Sequence, residues 1–292
     1  EMLDVLGRDE SWEDYWKSDD AQRVQCFGFD NGYFHSILFP ATWMAYDPDI
    51  RLADTFVTNE FFTLDGKKFS TSRGHAVWGQ EALDHLPSDV LRYYLCANRP
   101  ETEQTDFRLP DVQATIERQL ENRWQAWLLD LGARVREQAD GKAPEAGEPS
   151  RYQALFHKDM DRLGPEVTRV FQPETYSPQR AVAVLDELVR AARAFGQAER
   201  QSGSTRDTAL ALELGAAALL AGLVSPIMPN FAARLRDELG FDGEPDGWAD
   251  RLATLPAGQV IRGLDKPFFP NVAAACEAIA EARATREAAA KG

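Results

Sequence analysis

Ten consecutive residues, Asp65-Gly66-Lys67-Lys68-Phe69-Ser70-Thr71-Ser72-Arg73-Gly74, bring together the densest set of groups in the chain that could act on a phosphate. Two lysines and an arginine supply charge, and three hydroxyls supply hydrogen bonds. Such a set suits the departing oxygens of a polyphosphate, where preorganised donors act on charge as it develops. Glycine at each end is expected to let the stretch move, as a closing clamp would. Composition alone fits a solvated turn as well as a clamp.

The element that must position this stretch is the apolar run before it. Residues 55–64 read as one buried strand with an irregular end, which sets the basic loop just beyond a strand. In doubly wound α/β sheets, ligands collect outside the carboxyl ends of strands.

A second strand and loop lie upstream. Residues 24–27 read as a short buried strand, Gly28 permits a tight exit, and Asp30 is placed to cap a helix that ends before Pro48. Asp30 at such a sheet edge is also placed to meet a ribose hydroxyl. On that helix His35 stands among Tyr33, Phe34, Leu38 and Phe39. A lone histidine in apolar company is commonly a core residue satisfied by a neighbour, and pocket lining is the other reading. Trp12, Tyr15 and Trp16 share one helical face and are expected to pack.

Beyond the loop, residues 77–86 and 88–97 read as two helices broken by Pro87, with Ser88 as cap. Residues 116–135 carry Leu120, Trp124, Trp127, Leu128 and Leu131 at helical spacing. Further helices are expected over 152–171, 179–201, 208–223 and 231–239, a bundle of about five. Residues 273–292 read as a last helix or a frayed tail.

The chain has 292 residues, enough for two domains of ordinary size, and a formal net charge of −15. That balance opposes RNA binding by the whole surface, because phosphate contacts need Lys and Arg. A local basic face remains available on the helix carrying Arg118, Arg123, Arg134 and Arg136, and a solvated face is the alternative. The three cysteines, Cys26, Cys96 and Cys276, are far apart and give neither a disulfide framework nor a zinc site. No apolar run reads as long enough to cross a membrane, so the expectation is a cytoplasmic protein without membrane contact.

Residues 68–74 resemble the Lys-Met-Ser-Lys-Ser-Arg-Gly loop of class I aminoacyl-tRNA synthetases, in the Phe form known in the methionine branch. Four further blocks agree. Gly28-Phe29-Asp30-Asn31-Gly32-Tyr33-Phe34-His35 is similar to the Gly-Lys-Asp-x-x-Tyr-Phe-His segment of that branch. Asp89 to Leu95, and Arg99-Pro100-Glu101, stand where the family has similar residues. Lys266-Pro267-Phe268-Phe269-Pro270 is similar to its closing Pro-Leu-Phe-Pro segment.

The resemblance implies an α/β plus all-α fold. Residues 1–110 would be the second half of a class I Rossmann-like catalytic domain with its linking region, and 111–292 an anticodon-binding-type helix bundle. It also implies ATP-dependent activation of an amino acid and transfer to tRNA, with Mg2+ accompanying the ATP. Lys68, Ser70, Thr71 and Ser72 would serve catalysis. Gly28, Asp30, Lys67, Lys68 and Arg73 would bind ATP, and Asn31, Phe34 and His35 the amino-acid side chain. Arg92, Asp130 and Arg134 would meet tRNA.

The sequence departs from the family in places. Thr71 stands where a lysine is usual, and Phe29 precedes Asp30 in place of a lysine. Asn31 occupies a usually apolar position, which favours a more polar analogue of methionine, because a buried amide needs a partner. Asp130 replaces an Asn used in anticodon reading, and no Pro-Trp follows near Arg200. No His-x-Gly-His arrangement occurs among the four histidines. Two alternatives therefore stand beside the ligase: a paralogue that activates another amino acid for a non-tRNA acceptor, and a non-catalytic assembly subunit. The absent His-x-Gly-His favours the assembly subunit unless a separate chain supplies the missing amino-terminal half.

Overall fold

The structure is a computed structural model that describes residues 2–200, 205–243 and 247–290. It divides into two compact units. One comprises Glu1–Phe61 with Pro100–Gln104 and Gln172–Tyr176, and the other comprises the remainder. The division expected near residue 110 does not coincide with these units.

The first unit contains α1 (Met2–Val5), α2 (Trp12–Trp16), β1 (Val24–Gly28), α3 (Phe39–Tyr46) and β2 (Thr55–Asn59). Ser11 and Asp14 form a reciprocal capping box that starts α2. Trp12, Tyr15 and Trp16 are nevertheless exposed, and among the described residues only Trp16 of the three meets another ring, Trp43, edge-on at 5.1 Å. Strands β1 and β2 pair in parallel from Val24 opposite Thr55 to Gly28 opposite Asn59. Only Phe27 and Val57 of this pair are buried. After β1 the chain winds through a 3-10 turn, Phe29–Asn31, and a π turn, Phe34–Leu38, before α3. Asp30 does not cap this helical run. Its Oδ1 accepts instead from Asn31 Nδ2 at 3.0 Å.

The second unit holds β3 (Phe62–Leu64), α4 (Gly79–His85), α5 (Ser88–Ala97), β4 (Thr105–Phe107), α6 (Leu109–Thr115), α7 (Ala126–Ala139) and α8 (Arg151–Val170). It continues with α9 (Pro178–Glu199), α10 (Arg206–Val224), α11 (Pro229–Glu238) and α12 (Ala273–Ala289). The single strand expected over 55–64 is thus two: β2 pairs with β1, whereas β3 pairs in parallel with β4. Glu60 and Phe61 make the break, where the Glu60 N–H donates to Pro100 O at 2.7 Å. An apolar run cannot by itself say which neighbour each half will pair with.

Helix α6 passes through a π stretch, Ile116–Gln125, into α7 as one continuous rod. Its apolar positions Leu120, Trp124, Trp127, Leu128 and Leu131 are buried, as their spacing requires. Ser150 and Gln153 form a capping box at the start of α8, and Ser177 caps α9. Ser88 is the first helical residue of α5 and not its cap. Helix α10 is long and apolar enough to span a membrane, contrary to the reading of its sequence, but 83% of its apolar window is buried within the protein. Its hydrophobicity serves the bundle core.

Three carboxylates tie the helices together from inside. Asp186 of α9 accepts from Tyr93 Oη of α5 at 2.8 Å and from Trp124 Nε1 at 2.8 Å. Burial pushes its carboxyl up from the ordinary range, and the Tyr93 and Trp124 donors oppose that shift. Asp89 of α5 accepts from the Phe231 N–H at 2.6 Å and so satisfies an amide in the first turn of α11. Glu213 of α10 accepts from Trp127 Nε1 at 2.8 Å and from Arg134.

Asp186→Ala would leave the Tyr93 hydroxyl and the Trp124 indole N–H without an acceptor. The expected loss is about 1–3 kcal/mol for each orphaned donor, read as a lowered midpoint in urea unfolding. An unchanged midpoint would show that Asp186 is not a structural tie.

Candidate functional site

The basic loop leaves β3 through a tight turn. Asp65 and Gly66, at φ 49° and 73°, both occupy the left-handed region. Leu64 and Lys67 exchange backbone hydrogen bonds at 2.8 and 3.1 Å, which closes a primed turn of the kind that Asp-Gly favours. Asp106 of β4 fixes this turn from the neighbouring strand. Its Oδ1 accepts from Thr63 Oγ1 at 2.7 Å and from the Gly66 N–H at 2.8 Å. The Thr63 hydroxyl and the Gly66 N–H hold the Asp106 carboxyl below its ordinary range.

The far end is equally defined. The Ser70 N–H donates to His75 O at 2.9 Å, residues Thr71–Arg73 form a 3-10 turn, and Gly74 closes it at φ 66°. Ser70 and Ser72 approach each other at 3.4 Å between their Oγ atoms. The two glycines therefore serve turns that require positive φ. Lys67, Lys68, Thr71, Ser72 and Arg73 are exposed. Among the described residues, Lys67, Lys68 and Arg73 enter no ion pair. Three cations thus sit uncommitted on a backbone that is pinned at both ends, an arrangement that can receive a polyanion.

In the first unit, His35 lies on the π turn after β1. Its ring stacks on Phe27 at 4.2 Å, meets Phe39 edge-on at 5.3 Å, and has Nδ1 2.9 Å from Gln25 Oε1. Phe34 and Asn31 are exposed, and the Asn31 amide is occupied by Asp30. A Cβ on Gly28 would come 2.9 Å from Asp30 Oδ1. Gly28, Asp30 and Asn31 are thus brought together at the end of β1, with His35 held by its own strand.

Arg92, Asp130 and Arg134 are engaged within the second unit. Arg92 Nε and Nη2 donate to Ile227 O and Pro226 O, each at 2.7 Å. Arg134 donates to both carboxylate oxygens of Glu213, at 2.8 and 2.6 Å, and to Asp130 Oδ2 at 3.0 Å. Asp130 also pairs with Arg200. The Arg134 side chain is only 11% exposed and that of Glu213 1%. Burial pushes the Glu213 carboxyl up, and the Arg134 guanidinium opposes it.

The sequence reading did not single out Asp106 or His75 as partners of the loop. For the turn itself the signal is present in the Asp65-Gly66 dipeptide. Asp106 carries no comparable signal, because its partners lie about 40 residues away.

Residues 1–129 match the family model described as tRNA synthetases class I (M). Methionine–tRNA ligase of Salinibacter ruber is 31% identical over 294 residues, covering 91% of this chain and 40% of that protein. The Porphyromonas gingivalis enzyme of the same name is 34% identical over 263 residues, covering 86% and 38%. The chain is thus similar to class I tRNA synthetases over residues 1–129 and to methionine–tRNA ligases over most of its own length. It spans about 40% of the length of these curated methionine–tRNA ligases. Among solved structures, Mycobacterium tuberculosis methionyl-tRNA synthetase in complex with methionyl-adenylate aligns with a TM-score of 0.77 and 22% identity over 91% of this chain and 54% of that one. The apo form of that synthetase aligns with a TM-score of 0.73 over 87% of this chain and 50% of its own. The fold of this chain, an α/β part joined to a helical part, is the fold of those methionyl-tRNA synthetases.

Asp106→Ala is expected to lower the protection of the Gly66 amide from hydrogen exchange about tenfold or more, the loss of one hydrogen bond to a charged acceptor. In the native chain, a carboxyl held low when folded stabilises at pH above its unfolded range and releases that stability as pH falls through its folded range. Gly66 protection, corrected for intrinsic exchange, should therefore decline only below about pH 4. A flat profile, or an unprotected Gly66 in the native chain, would contradict the assignment.

Proposed function

We propose that this chain is the carboxyl-terminal part of an ATP-dependent methionine–tRNA ligase acting in the cytoplasm. In the first step a carboxylate oxygen of the amino acid attacks the α-phosphorus of ATP, the α–β oxygen bond breaks, and pyrophosphate leaves. A ribose hydroxyl of tRNA then attacks the acyl carbon and AMP departs. The observation that carries this reading is the pinned loop with Lys67, Lys68 and Arg73 free of ion pairs. A preorganised cation costs no rearrangement when charge develops on departing phosphate.

In this reading Lys68, with Ser70, Thr71 and Ser72, stabilises the departing pyrophosphate, and Lys67 and Arg73 add charge. Gly28 and Asp30 take the adenosine ribose. Phe34, Asn31 and His35 take the amino-acid side chain, and Mg2+ arrives with ATP as the counter-ion of its phosphates. Thr71 offers a hydroxyl where relatives carry a cation, so more of the electrostatic work falls to Lys68. The apolar surface of the first unit supports a catalytic domain larger than these residues. Tyr33, Phe34, Ile37, Met44 and Tyr46 are exposed, which a covering partner segment would bury.

A second reading, a paralogue that transfers to another acceptor, is favoured by one observation. The Arg134 guanidinium is buried against Glu213 and Asp130, which withdraws it from RNA.

Lys68→Ala in the complete polypeptide is expected to slow methionine-dependent ATP–pyrophosphate exchange by about two to three orders of magnitude, with little change in binding of free methionine. Native exchange rates in that variant would remove the loop from the reaction. Charging of tRNA with methionine by the unmodified polypeptide decides between the two readings: exchange without charging selects the second.

A further inference from the structure

Helix α12 meets the basic loop at its entry, at its exit and at the helix that follows. At the entry, Arg283 Nη2 lies 2.6 Å from Asp65 Oδ2, on the first residue of the primed turn. At the exit, the His75 ring bridges two elements: Nδ1 faces Glu287 Oε1 at 2.8 Å and Nε2 faces Leu64 O at 2.9 Å. Arg286 Nη2 donates to Ala76 O at 2.9 Å, and its Nη1 to Glu81 Oε1 of α4 at 2.6 Å. A Cβ on Gly74 would come within 2.9 Å of Arg286 O, so the left-handed glycine also permits the close approach of the helix. The Arg283 side chain is 19% exposed and that of Glu287 27%. Their pairs are therefore partly shielded from solvent, where a fixed geometry counts for more than on an open surface.

Every one of these contacts falls on a flank of the loop. None falls on Lys67, Lys68 or Arg73. We propose that the last turns of α12 brace the loop, with Arg283, Arg286 and Glu287 as positioning residues that hold its flanks so that its cations remain presented to phosphate. This rests on the phosphate-binding reading of the loop. It assigns a role in positioning to a helix that also packs Cys276 and Ile279 into the core of the bundle unit. Misplacing a catalytic group by a small distance lowers rate far more than binding, so the brace should act on turnover.

The test uses the complete polypeptide and three variants, Arg283→Ala, Glu287→Ala and Glu287→Gln. The alanine variants are expected to lower kcat for pyrophosphate exchange about tenfold to a hundredfold per folded molecule, with the KM for methionine unchanged. Glu287→Gln keeps an oxygen for His75 Nδ1 and should recover most of the rate. Trypsin supplies a readout that needs no activity. Cleavage after Lys67, Lys68 and Arg73 should rise about fivefold or more in the alanine variants, because cutting follows the population of the opened loop. Native exchange and native loop cleavage in both alanine variants, beside a slow Lys68→Ala control, would overturn the brace and leave the phosphate reading standing. Native exchange in Lys68→Ala with accelerated cleavage in the brace variants would instead overturn the phosphate reading, and with it the catalytic part of this proposal. Equal loss in Glu287→Gln and Glu287→Ala, with a matching fall in thermal midpoint, would reduce the contact to ordinary packing and overturn it as well.

Discussion

The carboxylate of Asp106 determines how the basic loop leaves the sheet. Its Oδ1 takes the Gly66 N–H and the Thr63 hydroxyl together, which binds the primed turn to the strand beside it. Two residues at positive φ are costly for a chain unless one is glycine and the turn is anchored. Once the turn is set, the direction of residues 67–73 follows, and His75 closes the loop by accepting the Ser70 N–H on its carbonyl. The cations need no partner of their own to be placed.

The bundle solves a related problem with two buried acids, Asp89 and Glu213, and a half-buried one, Asp186. Asp89, Asp186 and Glu213 would each be costly in an apolar interior, and each is met by donors from another helix. These ties select the pairing of helices, since an apolar surface alone is nondirectional. They also consume cations, Arg134 above all. In a chain of net charge −15 this leaves uncommitted positive charge at the loop, where it is most visible to an anion.

The family relation and the geometry bear on different questions. The relation accounts for the order of the blocks and the joined α/β and helical parts. The geometry shows which of the family-type residues keep their functional groups available. Lys68 does, whereas Arg134 is occupied by Glu213 and Asp130. A position whose residue type departs from the family pattern can take an internal task, as Asp130, paired with Arg134 and Arg200, illustrates.

Periodicity and turn chemistry made most of the helices legible, because the burial of Leu120, Trp124 and Leu131 follows from spacing along one rod. The loop was legible from the crowding of Lys67, Lys68, Ser70, Ser72 and Arg73 and from its resemblance to a known motif. The split of residues 55–64 between two sheets was not, since strand partners are chosen by residues distant in sequence. Nor did apolar spacing reveal that Trp12 and Tyr15 would stay exposed, because a helical face says nothing about what is there to cover it. Asp106, His75 and Glu287 look like ordinary surface polar residues when read in order. The sequence by itself determined the local conformations and the identity of the basic loop; only the tertiary structure decided which charges face the loop and which remain free. Local preference acts over a few residues, whereas an ion pair such as Arg283 with Asp65 exists only when folding brings positions more than two hundred residues apart into contact.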